Sequence, residues 1–327
     1  MSTYQLDKSN ILFPSYRGRL TEGITYNPSN NTLLWVDIIQ AQVHRIRLDD
    51  EEDYGKHHEV ISLDDPKESA GALFLTKDSD IVLISTKYGV CKGAFSTGKA
   101  EYILKYDHNA EEQKRLRSND GIVDPWGHLW IGVMTAFPEG GVQPEGRLYR
   151  VDCGDLSVKT MVTDTYISNG LAFDQDGKHL YWTDSLTFTL WKFDYDHESA
   201  TLSNRQACLD YRTLFPDVES PEPDGLAMTR GGDIYQAVFS TSQVVQVSTD
   251  GKMHARFKVP AARVSCVCVG GKDDNELFIT TGHLKLDDPS ADIDANDKSG
   301  DLGGFLFRLK LNEKLEGAPK NVWGGSI

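Results

Sequence analysis

The chain is expected to be all-β: a six-bladed β-propeller with four antiparallel strands per blade, one domain spanning residues 1–327. Three observations predict it. A strand–turn–strand motif recurs six times at a period of about 50 residues, the length of one propeller blade. A further strand follows each copy in a second, matching register. No amphipathic helix of about 12 residues or more interrupts the alternation of apolar and polar positions.

The first register opens on a small or oxygen-bearing residue, usually followed by Gly, then an apolar strand, a polar turn and a second strand. It reads EGITYNPSNNTLLWVDI from Glu22, AGALFLTKDSDIVLIST from Ala70 and DGIVDPWGHLWIGVM from Asp120. It continues as NGLAFDQDGKHLYWTDS from Asn169, DGLAMTRGGDIYQAVF from Asp224 and a degenerate SCVCVGGKDDNELFITT from Ser265. Gly23, Gly71, Gly121, Gly170 and Gly225 are spaced 48, 50, 49 and 55 residues apart, which fixes the period. The third strands are QVHRIRLDD, GVCKGAFSTG, GRLYRVDCGD, TLWKFDYDHE, SQVVQVSTDG and, delayed by an insertion, GFLFRLKLNE from Gly304. A parallel β-helix would need much shorter repeats. Two segments break the pattern: a polar loop at 104–116 before blade three, and an acidic insertion at 285–301 in blade six, expected as a surface excursion or a lid over the channel.

The composition excludes several function classes. A net charge of −15 without any dense Lys/Arg block argues against nucleic acid or an anionic membrane as partner. No apolar run approaches the roughly 20 residues that span a bilayer, and MSTYQLDKSN lacks the regions of a signal peptide. The five cysteines (Cys91, Cys153, Cys208, Cys266, Cys268) are odd in number and lack CxxC spacing, so they read as reduced thiols. Cytoplasm is the expected compartment. Nothing in the sequence speaks to oligomeric state.

Equivalent positions of successive blades form a ring about a propeller's axis. The ring at the start of the innermost strands is Glu22, Ala70, Asp120, Asn169, Asp224 and Ser265, with Asn119 beside Asp120. Taken singly, each Asn-Gly or Asp-Gly pair reads as a turn. Taken together, carboxylates converging on one axis would repel and be desolvated unless a cation neutralised them. The candidate ligands are all oxygens, which favours Ca²⁺, Mg²⁺ or Mn²⁺ by hardness, with Zn²⁺ also admissible.

TEGITY, RSNDGIVDPWGHLWIGVM, SNGLAFDQDGKHLYWTDS, PDGLAM and GGFLFRL, in this order along the chain, resemble the regucalcin/gluconolactonase/luciferin-regenerating-enzyme family. The resemblance implies a six-bladed propeller with one divalent metal ion that hydrolyses a sugar lactone, a small-molecule substrate. It implies that Glu22, Asn169 and Asp224 are the metal ligands, that Asp224 is also the acid/base, and that Arg117 and Asn119 contact substrate. The regucalcin branch carries a further substrate-contacting Glu where this chain has Phe137, in GVMTAFPEGG. A substrate with an apolar edge is therefore expected there, unless Glu139 or Glu145 supplies the acceptor. Two other readings of the same residues are a phosphotriesterase-type hydrolase and a non-catalytic calcium-binding propeller. Arg117 and Asn119 beside the ring favour an enzyme.

Other motifs are set aside. GAFSTGKA (93–100) lacks the Ser/Thr and the helix of a phosphate-binding loop, DIDANDK (292–298) lacks the glycine of an EF-hand, and YWTD (181–184) reads as a strand ending in Asp. His283 lies near the end of a blade-six strand and reads as a satisfied structural histidine.

Overall fold

The computed structural model describes residues 1–136, 141–288, 290–293 and 299–326. They form a six-bladed β-propeller, as expected. Blade one is built from Thr21–Asn27, Thr32–Asp37, Gln42–Arg47 and Glu59–Ser62. Blade two comprises Ala70–Leu75, Ile81–Thr86, Gly89–Ala94 and Lys99–Lys105. Blade three comprises Leu116–Val123, Leu129–Thr135, Gly146–Val151 and Val158–Thr165. Blade four comprises Ser168–Phe173, His179–Asp184, Thr189–Asp196 and Thr201–Asp210. Blade five comprises Glu222–Met228, Ile234–Phe239, Gln243–Val247 and Met253–Lys258, with Ser2–Gln5 added in parallel on its outer edge. Blade six has Arg263–Gly270, Glu276–Gly282 and Phe307–Lys310.

The ring closes through the chain's beginning. Ile11 bridges antiparallel to Phe307, and the amides of Leu12 and Gly18 donate to the carbonyls of Leu306 (2.8 Å) and Gly304 (2.9 Å). The N-terminal segment thus stands in for the outer strand that blade six lacks and covers an edge that would otherwise invite pairing with another chain. Within the ring, the first strand of each blade touches the first strands of both neighbours. The core lies between blades, where alternate apolar side chains of facing sheets interdigitate. Trp35, Trp130 and Trp182, in the second strands of blades one, three and four, are fully buried there. The segment expected as a loop at 104–116 ends in a short helix, Ala110–Arg115, capped by Asn109 and Glu112. No helix among the described residues is long and apolar enough to cross a membrane.

One irregularity repeats in every blade and decides where the site forms. Between Glu22 and Thr25, Ala70 and Ala72, Ser118 and Gly121, Asn169 and Leu171, Pro223 and Leu226, and Val264 and Cys266, the inner strand shifts its register against the second strand. These are β-bulges, each at the ring position, and a bulge frees a side chain from the strand's strict alternation. The backbone that each bulge unpairs must find other partners. Buried polar side chains of the second strands provide them. Ser85 accepts the Ala72 amide (3.0 Å), Thr183 donates to the Gly170 carbonyl (3.3 Å) and Gln236 donates to the Asp224 carbonyl.

The periodic glycines follow from the same geometry. A Cβ on Gly71 would lie 2.5 Å from the Asn119 carbonyl oxygen, and one on Gly170 would lie 2.4 Å from that of Asp224. At these two positions the neighbouring inner strand approaches so closely that a methyl group does not fit. Gly170→Ala is accordingly expected to destabilise the protein by about 1–3 kcal/mol through overpacking. Gly231→Ala, where the nearest atom to an added Cβ is 3.7 Å away, is the control and should leave the melting temperature unchanged. Equal melting of the two variants would refute the close-approach account.

Candidate active site

The ring positions of four blades converge at the axis. Glu22 and Asp224 belong to blades that are not neighbours, yet their carboxyl groups interact directly, and Asp120 of blade three acts electrostatically on both. Glu22, Arg117, Asn119, Asn169 and Asp224 are all more than nine-tenths buried, and Asp120 is half-buried.

The bulges orient these groups in a shared way. The Gly23 amide donates to Glu22 Oε2 (2.9 Å), the Gly121 amide to Asp120 Oδ1 (2.7 Å) and the Gly170 amide to Asn169 Oδ1 (3.1 Å). Asp224 is different. Its Oδ1 is buried and has no hydrogen-bond partner among the described residues, although the Asn169 side chain contacts the same carboxyl group. Asn169 Nδ2 also donates to Ser185 Oγ (3.2 Å), which donates in turn to the Pro223 carbonyl (2.8 Å), so blades four and five are tied together at the site.

Arg117 and Asn119 form the wall on the blade-three side. Arg117 Nη1 donates to Asn119 Oδ1 and to the Ser118 carbonyl, both at 2.8 Å, while Asn119 Nδ2 donates to the Ser168 carbonyl at 3.1 Å. Burial lowers the Arg117 pKa to about 10, and the Glu22 and Asp224 carboxylates oppose that fall, so the guanidinium stays charged at neutral pH.

The site's electrostatics test whether these residues fit a cation. Burial, and then the Asp120 charge, push the Glu22 carboxyl up from 4.5 to about 8; burial, and then Glu22, push Asp224 well above the ordinary range. The Glu22 and Asp224 carboxyl groups share one guanidinium, Asp120 adds a third carboxyl nearby, and the buried Asp224 Oδ1 has no hydrogen-bond partner among the described residues. An orphaned buried acceptor beside two more oxygen donors is an arrangement that a hard divalent cation satisfies. The donors fit such an ion.

Not every ring position joins. Ser265 donates its hydroxyl proton to the Thr21 carbonyl (2.7 Å) and lies within hydrogen-bond distance of Thr280 Oγ1 (3.0 Å), and so helps to lock blade six to blade one. Ala70 offers no polar group. Phe137 and Glu139 lie outside the described residues. Glu145 is committed to Arg115 (2.6 Å) and accepts from Thr135 Oγ1 (2.9 Å). His283 is buried, and its Nδ1 accepts the Lys285 amide at 3.0 Å.

Two supporting residues escape sequence reasoning. Asp37 accepts the amides of Arg19 (2.7 Å) and Leu20 (3.4 Å), and Asp184 accepts those of Tyr166 (3.1 Å) and Ile167 (2.9 Å). Each holds the backbone just before a ring residue, Glu22 or Asn169. The recurrence of Asp at the end of the second strand in blades one and four is the signal that could have found them; in YWTD it is what the Asp does. On the rim, Arg19 donates to the carbonyls of Asp288 (2.6 Å) and Ala291 (3.0 Å), and Arg17 to that of Gly303 (2.8 Å). The described part of the acidic insertion is thereby fastened to the segment that leads into Glu22.

Comparison with known proteins agrees with this architecture. Residues 20–283 match the family profile described as the SMP-30/Gluconolactonase/LRE-like region. The chain is 51% identical to the cell growth-regulated gene 1 protein of Candida albicans, over 98% of this chain and 99% of that protein. It is 31% identical to the pentonolactonase XacC of Haloferax volcanii, over 90% of this chain and 91% of that protein. Among solved structures, a calcium-binding regucalcin from Agrobacterium tumefaciens superposes with a TM-score of 0.81 at 22% identity, covering 99% of both chains. With the profile spanning most of the blades and the fold matching end to end, the chain belongs to the SMP-30/gluconolactonase/LRE-like family.

Proposed function

We propose that this protein is a divalent-metal-dependent lactonase that opens a sugar lactone to the aldonic acid. The observation that carries the reading is the orphaned, buried Asp224 Oδ1, set against Glu22 and Asn169 and flanked by the Arg117–Asn119 pair. Glu22, Asn169 and Asp224 would hold one cation, of the Ca²⁺, Mg²⁺, Mn²⁺ or Zn²⁺ kind. Bound there, the ion would polarise the lactone carbonyl and stabilise the charge that builds on its oxygen.

The chain's own residues supply the rest. Asp224 takes a proton from the attacking water and returns it to the ring oxygen as the C–O bond breaks, so proton count and charge balance over the cycle. Water adds across the ester bond and no other reactant is consumed. Arg117, fixed through Asn119 and Ser118, keeps a positive charge beside the carboxylates and, with Asn119, offers a hydrogen-bonding wall to sugar hydroxyls. The buried position of these groups excludes bulk water, which strengthens each of these interactions.

The pentonolactonase relative motivates testing five-carbon lactones beside six-carbon ones. In a pH-drop assay over such a panel, with a phosphotriester run in parallel, at least one aldonolactone should release acid. Chelator should abolish that activity, and a divalent cation should restore it. Turnover that survives chelation, or hydrolysis of the phosphotriester alone, would overturn the reading.

A further inference from the structure

The channel is closed at the end remote from the ring by the chain's own C-terminal tail. The Arg230 amide donates to the Glu316 carbonyl (2.8 Å) and the Ala318 amide to Met228 (2.9 Å), both at the end of blade five's inner strand. Asn321 Nδ2 then reaches the Val123 carbonyl in blade three (3.0 Å), and the Trp323 amide reaches Leu75 in blade two (2.8 Å). The tail therefore crosses the axis between Ala318 and Asn321. It is anchored by Trp323, which is 1% exposed and packs into the core between blades two and three. Lys320 sits at the crossing. It lines a narrow axial gap together with residues from all six blades, among them Gly23, Ala72, Asp120, Leu171, Leu226 and Cys266. It also lines the hollow of about 620 Å³ on the outer side of the plug.

Lys320 has no hydrogen-bond or salt-bridge partner among the described residues. Asp120 faces the same gap, and the Lys320 charge acts on it. Besides these two, the charged groups at the axis are Glu22, Asp224 and Arg117. On the metal-dependent reading proposed above, Glu22, Asn169 and Asp224 would share the bound cation. Asp120 is the carboxylate left over, and the tail brings a cation to it.

We propose that the C-terminal tail is a built-in plug whose Lys320 serves as the fixed counter-cation of Asp120, reserving the channel's acidic field for a single metal ion. Lys320 is a positioning residue under this assignment, since it acts on the site through charge and touches no reacting atom. A fixed ammonium on the axis opposes any divalent ion by Coulomb repulsion, so it tunes metal affinity downward and keeps a second ion from settling on Asp120. Removing it should do the reverse.

The test uses the full chain and has one arm that needs no metal. Lys320→Met keeps the aliphatic stem and leaves every tail hydrogen bond in place. In chelator at neutral pH, Lys320→Met should lower the apparent melting temperature by about 3 °C or more, because the half-buried Asp120 carboxylate loses a nearby positive charge. In an Asp120→Asn background the same change should cost less than about 1 °C. Equal losses in both backgrounds would overturn the pairing. The second arm rests on the metal reading given above. By calorimetric titration, Lys320→Met should bind Ca²⁺ on the order of ten-fold more tightly than the wild type, with Lys320→Arg matching the wild type within about two-fold. Unchanged affinity in Lys320→Met would overturn the ion-repelling role. A wild type that binds no cation at all would sink the metal reading, and the double-mutant cycle would still decide whether Lys320 pairs with Asp120.

Discussion

Asp224→Asn is expected to cut lactone turnover by about a hundred-fold or more while leaving the protein folded and still able to take up a divalent ion. General-base removal costs on this order, because the proton of the attacking water then has nowhere to go in the transition state. The substitution is close to isosteric. It leaves the Asp224 carbonyl, which accepts from Gln236 within the bulge, and it keeps an oxygen that can still ligate a cation. What it removes is the carboxylate charge and proton-accepting capacity of a group whose buried Oδ1 has no hydrogen-bond partner among the described residues. Measuring kcat over the lactone panel beside calcium affinity separates the two roles: kcat should collapse while affinity falls much less. If Asp224→Asn keeps more than about a tenth of wild-type kcat, the acid/base assignment is wrong.

The fold was legible because a propeller writes its plan once per blade. Gly71 and Gly170 lie where the neighbouring inner strand leaves no room for a side chain, while Gly23 is held at a positive φ of 58°. A spacing of about 50 residues is thus a packing constraint read at the axis. The same dipeptides were misleading at short range. Asn169–Gly170 and Asp224–Gly225 carry the composition of tight turns, yet both lie inside strands, at bulges whose stray backbone groups are met by Thr183 and Gln236. Local propensity cannot distinguish a turn from a bulge, because both want the same residues. Only the repeat makes the difference visible.

The convergence of the ring residues on the axis was legible, and the contacts that support them were not. Four oxygen-bearing side chains at one offset are a pattern, but Ser185 bridging blades four and five is a single contact with no periodic trace. Ser265 falls on the ring in register, yet its hydroxyl is needed to close blade six on Thr21. The tail is the clearest case of what the sequence hides. EGAPKNVWGGSI has neither strand alternation nor helical period, and nothing local says that Lys320 will cross the axis. It does so because Trp323 finds a buried seat between blades two and three and the backbone pairs with three different blades on the way.

Glu22→Gln should produce the opposite pattern from Asp224→Asn, lowering calcium affinity roughly a hundred-fold by removing a ligand charge close to the ion, while stabilising the metal-free protein. The sign follows from the carboxyl's environment. In the metal-free fold, burial, and then Asp120, push the Glu22 carboxyl up from 4.5 to about 8, so the native state holds a proton that the unfolded chain releases at lower pH. Stability from that proton is fully present below about pH 4.5 and is lost as pH rises toward 8, at a cost on the order of a few kcal/mol. Gln cannot ionise and is spared that loss. In chelator, then, the variant should melt above the wild type at pH 8 and close to it at pH 4.5. In saturating calcium the order should reverse at pH 8, because the wild type gains the binding free energy of an ion that the variant holds weakly. The two carboxylates would then be distinguished by what each loses: Asp224→Asn loses the chemistry, and Glu22→Gln loses the ion. A Glu22→Gln protein that binds calcium as tightly as the wild type would remove Glu22 from the ligand set, whatever its melting curve.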